Sequence, residues 1–197
     1  MTSVSHGKLP IVIVISGRGS NMRAIAEQAT QGSLPVEVRA VISDKPEAPG
    51  LAIAAGMQIP TRALSPREFA DRASYDQALA ALVASFEPQL VVLAGFMRIL
   101  SPGFIAAFAD RILNIHPSLL PKYRGLHPQQ QALDDGAAVS GATVHFVNKD
   151  LDAGPVVMQR AVPVLPGDTA EELAARILEV EHAVYPEAIA AVLERQP

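Results

Sequence analysis

Five β-branched residues in a row, Ile11-Val12-Ile13-Val14-Ile15, run directly into Ser16-Gly17-Arg18-Gly19-Ser20-Asn21, after which Met22, Ile25, Ala26 and Ala29 recur at helical spacing. A strand with one face in water alternates apolar and polar side chains. This one does not, so both of its faces must be covered, as in a parallel sheet. The spacing predicts further strands over Val36 to Ile42, Leu90 to Ala94, Ile112 to His116, Ala142 to Val147 and Val156 to Val164. Helical segments fall between most of them. Pro46 to Ala55 is a short one ending at Gly56. Another opens at Ser74, where Ser74-Tyr75-Asp76-Gln77 fits a capping box, and its stripe is Tyr75, Leu79, Leu82, Val83 and Phe86. The last starts at Asp168 or Thr169, with Glu172 completing Thr-x-x-Glu, and Pro186 is expected to kink or restart it. Alternation of this kind predicts a single α/β domain. Its central sheet is mostly parallel, with helices on both faces and an antiparallel pair between Ala142 and Val164. Met1 to Pro10 reads as a leader, and residues 11–195 as the domain.

The chain carries a formal charge of −4 and no cysteine. Disulfides, zinc thiolates and cysteine nucleophiles are thereby excluded, and a broad basic face for nucleic acid is not expected. The first ten residues are polar, unlike a signal peptide, and no apolar run approaches the ~20 residues a membrane helix needs. The expectation is a cytoplasmic protein without a membrane or nucleic-acid partner.

Three places could carry chemistry. In Gly17-Arg18-Gly19-Ser20-Asn21, glycines between a buried strand and a helix can aim unpaired N–H groups at a phosphate. The spacing completes neither a P-loop nor G-x-G-x-x-G, and a tight turn capped by Ser20 or Asn21 is the plainer reading. In Asn114-Ile115-His116-Pro117, residues two apart on a strand share a face, and Pro117 keeps His116 extended. A carboxamide beside an imidazole can donate to an oxygen that turns negative during a reaction; alternatively both are satisfied polar groups at a strand end. In Asp150-Leu151-Asp152-Ala153-Gly154-Pro155, the residues serve as turn formers, or a carboxylate fixes the tautomer of His116. An Asn, His and Asp set lacking a Ser or Cys nucleophile points to direct attack by a substrate. His6, His127, His145 and His182 have no tight metal-ligand spacing.

Taken together, "ISGRGSN" (15–21), "LAGFMRILS" (93–101), "LNIHPSLLPKYRGLH" (113–127), "GATVHFV" (141–147) and "DLDAGPV" (150–156) resemble, in order, the phosphoribosylglycinamide formyltransferases. The similarity runs from Ile11 to about Val192. It implies a Rossmann-like formyltransferase fold and transfer of the formyl group of 10-formyltetrahydrofolate, as co-substrate and without a metal, to the amine of 5'-phosphoribosylglycinamide in purine biosynthesis. By this resemblance Asn114, His116 and Asp152 are catalytic. Gly19, Ser20 and Asn21 hold the ribotide phosphate, and Glu181, otherwise a plain helix-face residue, binds the ribotide. Arg72, Met97, Arg98, Ile99, Leu100, Asn148, Lys149, Asp150, Leu151 and Asp152 line the folate site. Pro128-Gln129-Gln130 departs from many relatives, which have another His or Arg there, so His127 is given only a supporting role. A monomer or homodimer is expected. The rivals are a formyltetrahydrofolate hydrolase, a methionyl-tRNA formyltransferase and a non-catalytic nucleotide-binding module. They fit less well, given the short leader, the acidic charge and the intact Asn114, His116 and Asp152 respectively.

Overall fold

The computed structural model describes residues 8–194. The strands are β1 (Leu9–Ile15), β2 (Val36–Ser43), β3 (Thr61–Ala63), β4 (Leu90–Leu93), β5 (Ile112–His116), β6 (Val139–Phe146) and β7 (Val156–Pro163). The helices are α1 (Ser20–Gln31), α2 (Pro49–Gly56), α3 (Arg72–Ala84), α4 (Pro102–Ala107), α5 (Pro128–Asp134) and α6 (Ala170–Leu193). One seven-stranded sheet has the order β3-β2-β1-β4-β5-β6-β7. The first five strands in that order are parallel, and β6 and β7 each run antiparallel to the preceding strand. The fold is thus the mixed α/β sheet that the strand–helix alternation predicts.

β1 explains why the sheet is central. Ile11, Ile13 and Ile15 pack with Met22 and Ile25 of α1 and with Leu173, Ile177 and Tyr185 of α6. Val12 and Val14 pack on the opposite face with Tyr75, Leu79 and Val83 of α3 and Phe104 of α4. The chain winds outward from β1 through β2 to β3, then returns along α3 to place β4 on the other flank of β1. That reversal makes the carboxyl ends of β1 and β4 the topological switch point, the place where open α/β sheets bind ligands.

Several boundaries differ from the sequence reading, each for a local reason. β1 begins at Leu9, so the last two residues of the expected leader are in the sheet; Met1 to Gly7 and Arg195 lie outside the described residues. β6 begins at Val139, three positions before the Ala142 expected. α3 begins at Arg72, because Asp71, a stronger acceptor than Ser74, takes the Ser74 N–H at 2.7 Å and caps the helix. α2 begins at Pro49, the first-turn position that proline favours. β3, α4 and α5 are too short to show a period, and sequence pattern does not reveal them. Thr169 and Glu172 do form the capping box of α6, but Pro186 neither breaks nor restarts the helix. Proline removes one rung of the ladder. Buried Val184, Tyr185, Ala188 and Ile189 on both sides hold the turns in place.

Candidate active site

Asn114 and His116 do stand on one face of β5, at the end of a strand whose other face carries Leu113 and Ile115 in the core. β6 lies beside them with Cα partners Asn114↔His145 and His116↔Thr143. His145 therefore faces Asn114 directly, and its Nε2 is 3.3 Å from Asn114 Nδ2. The connection after β6 folds back across the same face. Phe146 N donates to Pro155 O (2.9 Å), and a Cβ on Gly154 would sit 1.8 Å from Phe146 O, so no larger residue fits this return. The fold-back delivers Asp152, whose Oδ2 is 3.4 Å from His116 Nδ1 and whose Oδ1 is 3.8 Å from His145 Nε2. The Asp152 side chain is only 9 % exposed.

Backbone groups fix the protons. His116 Nε2 is 2.9 Å from the Tyr123 carbonyl and His145 Nδ1 is 2.9 Å from the Phe146 carbonyl. A carbonyl only accepts, so each of these nitrogens carries a hydrogen. Burial pushes the His145 imidazole below its usual pKa, against the pull of the Phe146 carbonyl and Asp152. His145 is then neutral, and its Nε2 lone pair accepts from Asn114, which orients the carboxamide. The Gly125 N–H donates to Asp152 Oδ2 at 2.9 Å. The segment from Tyr123 to Gly125 therefore grips both His116 and Asp152. It is anchored from beneath: Thr143 Oγ1 donates to Ser118 O (2.6 Å) and accepts from Leu120 N (3.0 Å) and Gln159 Nε2 (2.9 Å).

The glycine loop is not capped as the plainer sequence reading supposes. Gly19, at φ 72°, is the N-cap of α1, and among the described residues no side chain accepts from the first turn. The leading N–H groups are left without intrahelical partners, the arrangement that receives an anion. The loop is locked from behind by a residue the sequence does not advertise. Gly50 N donates to Gly17 O (3.1 Å), and a Cβ on Gly19 would lie 2.9 Å from Gly50 Cα. Ser20 is half-buried at the start of the helix. Asn21 turns inward, its Nδ2 donating to Glu181 Oε2 across 2.7 Å. These two residues, 160 positions apart, are thus in direct contact.

The remaining residues form a neighbouring surface. Arg72 Nη2 donates to Ile99 O (2.7 Å), Arg98 lies over the Tyr75 ring, and Met97 N donates to Ser16 Oγ (2.9 Å), tying this segment to the end of β1. Met97 and Ile99 expose most of their apolar surface, as does Leu126, while Leu100 is buried. Asn148 Oδ1 accepts from Asp150 N at 3.0 Å, shaping the turn that leads to Asp152. Lys149, Asp150 and Leu151 are exposed along it. His127 is the left-handed N-cap residue of α5.

The arrangement has relatives. The model of the formyl transferase family matches residues 9–189. The phosphoribosylglycinamide formyltransferase of Escherichia coli (strain K12) is 48 % identical over 89 % of this chain and 83 % of its own length. The trifunctional purine biosynthetic protein adenosine-3 of Homo sapiens is 40 % identical over 95 % of this chain and 18 % of its own length. Among solved structures, the glycinamide ribonucleotide transformylase 1 of Symbiobacterium toebii superposes with a TM-score of 0.93 at 43 % identity, over 96 % of this chain and 90 % of that one. The phosphoribosylglycinamide formyltransferase of Brucella melitensis does so at 0.90 and 47 %, over 96 % and 97 %. With the match spanning the phosphate-type loop, the Asn-x-His strand and the Asp152 fold-back alike, the chain belongs to the formyl transferase family.

Proposed function

We propose that this protein is a phosphoribosylglycinamide formyltransferase, moving the formyl group of 10-formyltetrahydrofolate to the glycinamide amine of 5'-phosphoribosylglycinamide. The observation that carries the reading is the convergence of Asn114, His116 and Asp152, within 3.4 Å of one another or of His145, with no nucleophile among them. The amine attacks the formyl carbon, forming the new C–N bond while the carbonyl electrons move onto oxygen. Asn114 has its second Nδ2 hydrogen to give that oxygen. His116 enters the step as the imidazolium beside Asp152, and because the Tyr123 carbonyl holds the Nε2 hydrogen it can give only the one on Nδ1. Asp152 receives the proton leaving the amine, directly or through water. Collapse of the oxyanion breaks the bond to N10, which takes its proton from His116 Nδ1, and Asp152 returns the amine proton to that nitrogen. One formyl group and one proton have changed places.

Gly19, Ser20 and Asn21 would bind the phosphate through the open turn of α1, and Glu181 the ribose. Arg72, the segment from Met97 to Leu100 and the segment from Asn148 to Asp152 would take the folate. The exposed Met97, Ile99 and Leu151 supply apolar area for an aromatic ring system, and Arg72 supplies charge for a glutamate tail.

Ultraviolet absorbance of the folate on mixing protein, 10-formyl folate and ribotide tests this. Turnover is expected only in the full mixture. Turnover without the ribotide would make the protein a hydrolase, and none at all a binding module. His116→Ala should cost about a hundredfold in kcat, the usual worth of one oxyanion donor, ~3 kcal/mol. Near-native kcat in that variant would remove His116 from the mechanism.

A further inference from the structure

Asn21 lies in the first turn of α1, where its backbone N–H belongs to the anion-accepting set, yet its side chain points the other way. It is 7 % exposed and donates to Glu181, also 7 % exposed, in the middle of α6. A carboxylate can only accept, so the bond commits an Nδ2 hydrogen. Asn21 Oδ1 is buried with no partner among the described residues, and it is no ligand for a phosphate oxygen. Among the described residues the bond leaves Glu181 Oε1 uncommitted. A fold rarely tolerates an enclosed acceptor without return, and here the return is a carboxylate held still.

We propose that the Asn21 side chain is a positioning residue that holds the Glu181 carboxylate for the ribose hydroxyls, while only its backbone serves the phosphate. The inference rests on the ribotide reading of this site. It ties the phosphate cradle to ribose recognition through one hydrogen bond between α1 and α6. Burial pushes Glu181 above the usual carboxylate range and the Asn21 amide pulls it back, so the same bond favours the charged, hydroxyl-accepting form.

The test is a double-mutant cycle on Asn21→Ala and Glu181→Ala, run with the ribotide and with an analogue lacking the ribose 2'-hydroxyl. Each single variant should raise the ribotide KM about tenfold or more, the worth of a hydrogen bond to a charged group. Folate KM should stay as in the parent. The double variant should be no worse than Glu181→Ala alone, and both singles should lose discrimination against the deoxy analogue. Effects that multiply in the double variant, or an Asn21→Ala loss equal for both ribotides, would overturn the proposal in favour of a side-chain phosphate ligand. A silent Glu181→Ala would instead overturn the ribotide assignment on which the proposal stands. Asn21→Ser, shorter but still polar, carries the same expectations should Asn21→Ala fail to fold.

Discussion

His145 is a buried imidazole whose two nitrogens have opposite jobs, one donating to its neighbour's carbonyl and one accepting from Asn114. Its lowered pKa has a consequence for stability. Below pH ~6.5 the unfolded chain protonates this residue while the folded chain resists. The unfolded state then binds more protons, so stability present above pH ~6.5 is lost as pH falls toward the folded-state value. His145→Gln keeps a group able to accept from Asn114 but does not titrate. Its Tm should therefore fall less than the parent's between pH 7 and 5, measured by calorimetry across that range; parallel slopes would show that the ring titrates as if unfolded. Sequence alone raises Asn114 and His116 because strand period and Pro117 put them on one face. It leaves His145 among ordinary strand polar residues, since its role depends on the β5–β6 register, which no local pattern encodes. The Tyr123 carbonyl and Gly125 N–H are backbone groups and leave no side-chain signature at all.

Among the elements, α2 meets the loop before α1 in a tight joint beside the site. A Cβ on Gly50 would come within 2.5 Å of Ile15 Cδ1, 3.0 Å of Gly17 O and 3.1 Å of Gly19 Cα. Ile15 can turn its terminal methyl aside, but the other two atoms are backbone, so the loop itself must move. Gly50→Ala should raise ribotide KM and leave folate KM alone, with a stability loss of ~1–3 kcal/mol from overpacking. Steady-state kinetics and urea titration separate the two effects; lost stability with an unchanged ribotide KM would reduce Gly50 to a packing residue. The glycine loop is legible in the sequence because it sits between a buried strand and an amphipathic helix. Gly50 is not, because what makes it indispensable is a backbone 31 positions upstream. The same distinction governs the helices. α1 and α6 announce themselves through long apolar stripes, whereas α4 and α5 are each under two turns long, started by Pro102 and Pro128 after residues that also suit loops.

Across the whole molecule, the proposed chemistry is spread over parts that only the sheet unites: the loop after β1, the segment after β4, the end of β5, the fold-back after β6 and the middle of α6. The 24-residue α6 is the longest of these parts and carries Glu181. Its start is fixed by the capping box and by Arg176, whose hydrogen bonds hold Asp168 at a pKa of about 2. At its centre, one turn after Glu181, the buried Tyr185 hydroxyl lies 2.8 Å from Leu93 O and 3.0 Å from Leu113 O. It thus bridges the last residue of β4 and the start of β5 from the face opposite Asn114 and His116. If this contact ties α6 to the sheet as a single cooperative body, Tyr185→Phe should act on global stability and hardly on chemistry. The expected loss is ~1–2 kcal/mol, because each carbonyl keeps a second lone pair and can retain another hydrogen bond. In a urea titration that appears as a lower midpoint with an unchanged slope, since the surface exposed on unfolding is the same. A raised ribotide KM with an unmoved midpoint would mean instead that Tyr185 sets the position of Glu181 locally, and that α6 moves against the sheet without unfolding it.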